Sequence, residues 1–496
     1  MGKRKFRSLG LVGLGLVAGI LVSVGVTAVA QREARAPIPL EDIRQFSSVF
    51  AAIKNNYVEP VEDKKLIDGA IAGMLSDLDP HSAYLDAEAF REMQTQTQGE
   101  FGGLGIEVGT EDGYVKVISP IEDTPAARAG VMAGDLVIKI DDKPTKGVLL
   151  NDAVKMMRGK PKTPIVLTIM RKDTPQPVVL TIVRDIIKVR SVRSKELESG
   201  VGYVRIAQFQ EKTGSDLVDH LERMAKTATP RALVLDLRND PGGLLHAAIG
   251  VSGVFLPGKQ LVVSTDGRAP DSRRRYETVA DDYLRGSDDY LKRVPAWVKT
   301  VPLVVLVNAG SASASEIVAG ALQDHNRAKV LGTRTFGKGS VQVILPISRD
   351  SAIKLTTSRY YTPNGRSIQA KGIEPDLVVA DNADGDVYER PREADLAKHL
   401  SNDRDPTGER KSAYSDPSRA GELAQRAPPK PVEFGSADDF QLKQALNHLN
   451  GQPVQIAKAE DVKPVEGADK PAEPAGSGTA TPPPASSPEA PANKVK

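Results

Sequence analysis

Five consecutive apolar residues, Leu303-Val304-Val305-Leu306-Val307, run into Asn308-Ala309-Gly310 and the small-residue stretch Ser311–Glu316. An apolar pattern resumes at helical spacing over Ile317–Leu322. A strand that is apolar at every position has no face to give to water. It must lie inside a sheet covered on both sides, and helices are the usual cover. Ala232–Leu237 repeats the pattern, and Gly202–Phe209 supplies a third strand. Leu217, Leu221 and Met224 mark a helix between those two. Residues 186–384 therefore read as one α/β core. The charged stretch 266–296 inside it, with the basic run Arg273–Arg275 among acids, reads as a solvated surface excursion or lid.

The flanks have other textures. Residues 31–97 read as helical, with Ile43, Phe46, Val49, Phe50 and Ile53 at helical spacing and Leu66, Ala70, Ile71 and Leu75 repeating it. Asp79-Pro80-His81-Ser82 breaks that pattern. Residues 98–185 change to short strands, Val115–Ile118, Leu136–Ile140, Ile165–Met170 and Val178–Val183, with a short helix at Asn151–Met157. After 385 the periodicity fades. Gln441–Leu449 fits one short helix, and 457–496, rich in Pro, Ala, Glu, Lys and Ser, is expected to be disordered.

Lys3, Arg4, Lys5 and Arg7 precede an apolar run from Leu9 to Ala30. As a helix that run is about 33 Å long, enough to cross a bilayer. Residues 1–30 thus read as a signal peptide or membrane anchor, with Ala28-Val29-Ala30 fitting a cleavage site. The positive flank places the remainder outside the cytoplasm, in a bacterial periplasm or on the outer face of the inner membrane. There are no cysteines, which excludes disulfides, thiolate catalysis and zinc–thiolate sites. A net charge of +2 gives no field for nucleic acid.

Four segments carry chemistry. Ser313 stands at the start of a helix, whose unpaired N–H groups suit a developing oxyanion. On this segment alone Ser313-x-x-Glu316 is equally a capping box. Thr335-Phe336-Gly337-Lys338-Gly339-Ser340-Val341-Gln342 puts a lysine between two glycines. A lysine acting as a base must be neutral, which means lowering its pKa by about 3 units at a cost of roughly 4 kcal/mol. Gly332-x-x-x-x-Gly337-Lys338 begins like a phosphate-binding loop, but Gly339 stands where that loop needs a hydroxyl. Asp236–Gly243 ends in two glycines that can turn N–H groups outward after a buried strand. Gly103-Leu104-Gly105-Ile106 can hold a carboxylate on backbone N–H groups while a peptide adds as a strand. Asp324-His325 leaves a Ser–His–Asp arrangement as a rival, although neighbours on a helix do not face each other.

Asp79-Pro80-His81-Ser82, the glycine loop, the Asn239–Gly243 turn, Ser311–Glu316 and Thr335–Gln342, together and in that chain order, resemble the carboxy-terminal processing peptidases, or tail-specific proteases, over residues 40 to 380. The resemblance implies a mixed α/β protein: a helical N-terminal region, a PDZ-like domain, and a peptidase core of ClpP/crotonase-like type. It implies Ser313 as nucleophile, Lys338 as general base, Gln342 as the residue orienting that lysine and Glu316 as a supporting carboxylate. It implies an oxyanion hole from the N–H groups of Gly243 and Ala314. It implies Gly103, Leu104, Gly105 and Ile106 as the docking loop for substrates with free C-termini, with no cofactor or metal. It leaves room for a homo-oligomer and a regulatory adaptor. The rival from another class is a non-catalytic envelope scaffold that binds protein tails through the PDZ-like domain.

Overall fold

The computed structural model describes residues 39–409 and 433–456, apart from 122, 173, 175, 198–199, 384–389 and 434. The candidate signal or anchor at 1–30 and the tail 457–496 lie outside the described residues. Among the described residues no helix is long and apolar enough to cross a membrane. The chain divides into two compact units. Residues 39–95, 341–358 and 396–400 make the first; 96–340, 359–395 and the rest make the second.

In the first unit, Leu40–Asn56 and Asp63–Ser76 are helices. The helical spacing of Ile43, Phe46, Val49 and Ile53 is real, but that stripe is exposed, with Val49 at 54%. The Asp79-Pro80-His81-Ser82 turn is a hydrogen-bonded device. Asp79 Oδ1 accepts from the N–H groups of His81 (2.8 Å) and Ser82 (2.9 Å), and Oδ2 accepts from the Ser82 hydroxyl (2.7 Å). This short acidic side chain closes the turn and turns the chain into the strand Ala83–Leu85. That strand pairs antiparallel with the start of Ala352–Tyr361, from Leu85 opposite Ala352 to Ala83 opposite Lys354.

The second unit has two cores. The smaller is an antiparallel sheet in the order Ile106–Glu111, Tyr114–Pro120, Leu136–Ile140, Pro164–Met170 and Val178–Val183, with the helix Leu150–Met157. Alternate residues point inward, so Ile165, Leu167 and Ile169 are buried while their neighbours are not. Leu104, Val115, Val117, Val137 and Ile182 complete this core. Glu100–Gly103 pairs antiparallel with Asp185–Lys188 where the chain enters and leaves the domain.

The larger core is a six-stranded sheet in the order Val192–Leu197, Val201–Ile206, Ala232–Asp236, Leu303–Val307, Lys329–Gly332 and Leu377–Val378. Its first pair is antiparallel and the rest are parallel. Every residue of the 232–236 and 303–307 strands is buried, as an all-apolar strand requires. The helices Thr213–Thr227, Leu245–Phe255 and Ala314–Asp324 belong to this core.

One expectation is corrected here. The 266–296 stretch is not simply solvated. It pairs Arg274–Glu277 with Leu261–Gly267 and then buries Tyr283 and Tyr290. The Tyr290 ring fits because Gly214 and Gly250 leave it room: a Cβ on either would lie within 2.4 Å of its hydroxyl. The short helix expected at Gln441–Leu449 is present. Phe440–Leu449 is a helix whose Leu442 and Ala445 join Val201, Tyr203, Val234, Val304 and Leu306 in one buried cluster. It covers a face of the sheet, and burying Leu442 alone contributes about 1.5–3 kcal/mol.

Candidate active site

The 303–307 strand delivers the chain to a turn that is fastened at each serine. Ser311 Oγ donates to Leu237 O at 2.8 Å and accepts from Asn308 N at 3.0 Å. Ser315 Oγ donates to Asp240 O at 3.0 Å. Between them Ser313 adopts φ 55° and ψ −112°, a left-handed backbone at a non-glycine residue. Such a conformation costs about 1–3 kcal/mol and persists only where the surroundings enforce it. Part of the enforcement is Glu316, whose Oε2 accepts from Ser313 N at 2.8 Å. The capping-box spacing therefore holds the serine in place at the helix start.

Glu316 is wholly buried and serves a second segment at the same time. Its Oε1 accepts from Thr335 Oγ1 (2.6 Å) and Gly337 N (2.7 Å), and its Oε2 also accepts from Lys338 N (3.0 Å). Burial pushes the carboxyl up to about 7, against the hydrogen bonds that favour its charged form. One carboxylate thus carries the main chain of both Ser313 and Lys338.

The main chain of Gly337–Gly339 has a partner for each of its polar groups. Besides the two bonds to Glu316, Gly337 O accepts from Ala370 N at 2.8 Å, and Gly339 N donates to Gln369 Oε1 at 2.9 Å. Gly339 O accepts from Tyr360 N at 2.9 Å, and Lys338 O accepts from the Tyr360 hydroxyl. Gln369 is held in turn by Glu393, at 2.9 Å. Gly337 has φ 100°, and a Cβ at Gly339 would lie 2.4 Å from Gln369 N, so neither glycine is replaceable without a shift. A fully bonded loop of this kind holds Lys338, half-buried, in one place.

The glycine turn after Asp236 lies directly against the serine. Ala312 N donates to Asp240 O at 3.0 Å, and a Cβ on Gly242 would stand 2.8 Å from the Ser313 Cβ. Gly242 O accepts from Phe209 N and Leu244 N donates to Phe209 O, both at 2.9 Å. These bonds engage the residues on either side of Gly243, whose own φ is 148°. Asp240 is buried. Its Oδ1 accepts from Gly242 N at 2.8 Å, Oδ2 has no partner among the described residues, and burial pushes the acid up to about 8.

The remaining expected residues fall as follows. Ala314 is the first residue of the helix that Ser313 caps. Gln342 lies in the first unit, where its Nε2 donates to Thr356 Oγ1 at 3.1 Å. Gly103–Ile106 links the 100–103 and 106–111 strands. Leu104 O accepts from Ala126 N at 2.9 Å, and Gly105 O from Ile121 N at 2.9 Å. Leu104 is buried in the domain core, with Ile106 and Val154 packed against it. The Ser–His–Asp rival fails: Asp324 pairs with Arg366, and His325 Nε2 bonds Leu261 O at 2.7 Å. Both sit at the far end of the helix from Ser313, about 16 Å away by helical rise. Sequence reasoning missed Thr335 as a ligand of Glu316, and also Tyr360, Gln369 and Glu393. No local pattern marks those residues.

Comparison with known proteins identifies the family. A model of peptidase family S41 matches residues 200–379, a PDZ domain model matches 102–182, and one for the "activating protease CtpB N-terminal domain" matches 23–89. The carboxy-terminal-processing protease of Bartonella bacilliformis is 47% identical over 368 residues, spanning 73% of this chain and 81% of the relative. The carboxy-terminal processing protease CtpB of Bacillus subtilis is 34% identical over 378 residues, 74% of this chain and 75% of the relative. Among solved structures, a photosystem II D1 C-terminal processing protease aligns over 67% of this chain and 91% of its own, at 27% identity and a TM-score of 0.38. The chain belongs to the carboxy-terminal processing proteases, serine-type peptidases of family S41 that carry a PDZ domain.

Proposed function

We propose that this protease is exported and cleaves polypeptides near their C-termini with a Ser313–Lys338 dyad. Neutral Lys338 takes the Ser313 proton as Oγ attacks the scissile carbonyl. The carbonyl electrons move onto oxygen, which the N–H groups of Gly243 and Ala314 stabilise. Lys338 then gives the proton to the departing amine, and water, activated by the same lysine, releases the acyl group. The PDZ domain docks the substrate tail on Gly103–Ile106. The carbonyls of Leu104 and Gly105 are already committed to the 121–126 segment, so the loop's offer to a carboxylate is its N–H groups. The reading of export rests on the basic flank and apolar run before residue 31.

The observation that carries the dyad is Glu316, on which the N–H groups of Ser313 and Lys338 both rest. A tail-degradation assay tests it. Ser313→Ala and Lys338→Ala should each abolish cleavage, about as fully as both together, while His325→Ala keeps it. Activity retained by Lys338→Ala and lost by His325→Ala would refute the assignment.

A further inference from the structure

Asp240 stands between the glycine turn and the serine turn and holds both. Its main-chain carbonyl accepts from Ala312 N and from Ser315 Oγ, each at 3.0 Å, on either side of Ser313. Its side chain serves the other turn. Oδ1 accepts from Gly242 N at 2.8 Å, across Pro241, which has no N–H of its own. The carboxyl is fully buried, and Oδ2 has no partner among the described residues. The next peptide, Gly242–Gly243, shows what this tie controls. Its carbonyl accepts from Phe209 N at 2.9 Å. In a trans peptide the C=O and N–H point in opposite directions, so the Gly243 N–H points away from Phe209. Gly243 is exposed, and its N–H has no acceptor among the described residues. A Cβ on Gly242 would stand 2.8 Å from Ala314 N, so the second oxyanion donor abuts the same turn. Gly242 at φ 94° and Gly243 at φ 148° have no Cβ to restrict them, and bonds must hold the turn instead.

We infer that Asp240 is a positioning residue of the peptidase reaction: its carbonyl fixes the Ser313 turn and its carboxyl fixes Gly242, so that one residue sets the Gly243 N–H relative to the nucleophile. The inference rests on Ser313 as nucleophile and Gly243 as oxyanion donor. Glu316 ties the nucleophile to the base; Asp240 ties it to the oxyanion turn. Without Oδ1 the serine turn keeps both its bonds to the Asp240 carbonyl, and the Gly242–Gly243 peptide loses its tie on that side. The loss is felt where charge develops on the substrate oxygen, in the tetrahedral state, and not in substrate binding. Burial raises the acid to about 8, so at neutral pH it is largely uncharged and asparagine is its close replacement.

The test compares the full chain with Asp240→Ala and Asp240→Asn on a tail peptide, each rate divided by the fraction of Ser313 that a fluorophosphonate finally labels. Asp240→Ala should lower kcat roughly ten- to a hundredfold with KM within about twofold. It should weaken inhibition by a peptide aldehyde, whose tetrahedral adduct puts its oxygen on the same donors, by a similar factor. Asp240→Asn keeps the acceptor and should stay within about threefold of the parent in both readouts. A merely structural Asp240 gives a smaller labelled fraction with a normal kcat per labelled site, and that result overturns the inference. So does an unchanged aldehyde affinity, or an asparagine variant as impaired as the alanine one. If Asp240→Ala yields no labelled enzyme, Asp240→Leu fills the carboxyl's space without accepting, and the same criteria apply. No labelled enzyme from that variant either overturns the inference too. Two results on the parent keep the underlying reading separate. If Ser313 is not labelled, the nucleophile falls; if it is labelled but the aldehyde binds no better than the matching alcohol, the oxyanion donors fall. The inference falls with either.

Discussion

The buried charge cluster behind the glycine turn gives the sharpest stability prediction. Arg238 uses all its donors. Nε and Nη2 reach Asp236 at 3.0 and 2.7 Å, and Nη1 and Nη2 reach Asp439 at 2.8 and 2.6 Å. Nη1 also reaches Gln441 at 3.2 Å. Arg205 adds a second cation on Asp236, so two carboxylates balance two guanidinium groups. Asp439 also caps its helix, accepting from Leu442 N at 3.0 Å. Asp439→Ala leaves one buried positive charge unbalanced and the helix uncapped. Breaking a buried pair costs about 3–5 kcal/mol and losing a cap about 1 kcal/mol. Asp236 and Gln441 still serve Arg238, so the expected loss is about 4 kcal/mol, a large part of the 5–15 kcal/mol that about any domain has. The chain's single tryptophan, Trp297, lies in the second unit and reports its unfolding. Urea unfolding followed by its fluorescence measures the effect. Adding Arg238→Met to the variant should recover more than half of the loss, because the stranded charge is then gone. A loss below about 1 kcal/mol for Asp439→Ala, or no recovery in the double variant, would refute the reasoning.

Other perturbations separate the remaining contacts. Glu316→Gln leaves two of four donors facing an amide NH₂ and should lower kcat about a hundredfold. In the parent, protonation of Glu316 as pH falls through about 7 should weaken the rate; the Gln variant should lack that limb in a rate–pH profile. Asp240 has a folded pKa of about 8, above its unfolded value of 3.8, so its stabilising effect is full below pH 3.8 and lost as pH rises through 8. Asp240→Asn cannot titrate and should gain on the parent between those limits; equal urea midpoint differences at both ends would contradict this. Thr356→Val removes the acceptor of Gln342 Nε2 and the donor to Asp79 Oδ1, each at 3.1 Å. We expect a stability loss of about 1–3 kcal/mol, measured by urea unfolding followed by circular dichroism; an unchanged midpoint would contradict this.

Much of this architecture was legible because burial on both faces leaves a plain signature. Leu303–Val307 is apolar at each position, and Leu136–Ile140 lies where its apolar residues place it. The segments of Ser313 and Lys338 were legible through their small residues, which close packing demands. The shell around Lys338 was not. Tyr360, Gln369 and Glu393 come from separate stretches, and nothing periodic connects them. The burial of Tyr290 depends on Gly214 and Gly250, whose contribution is an absence of side chain. The 440–449 helix was legible as a helix but not as part of the core, because its inward face is short, with Leu442 and Ala445 as its apolar anchors.

That helix has a consequence for the order of events in making the protein. A chain grows from its N-terminus, yet one side of the central sheet is roofed by Phe440–Leu449, encoded long after the serine and lysine. Until those residues emerge, Tyr203, Val234 and Val304 lack their cover and Arg238 lacks Asp439 beside the glycine turn. Every nascent chain short of residue 450 therefore carries Ser313 and Lys338 on an uncovered sheet. The roof of the central sheet is therefore among the last of the described residues to be synthesised.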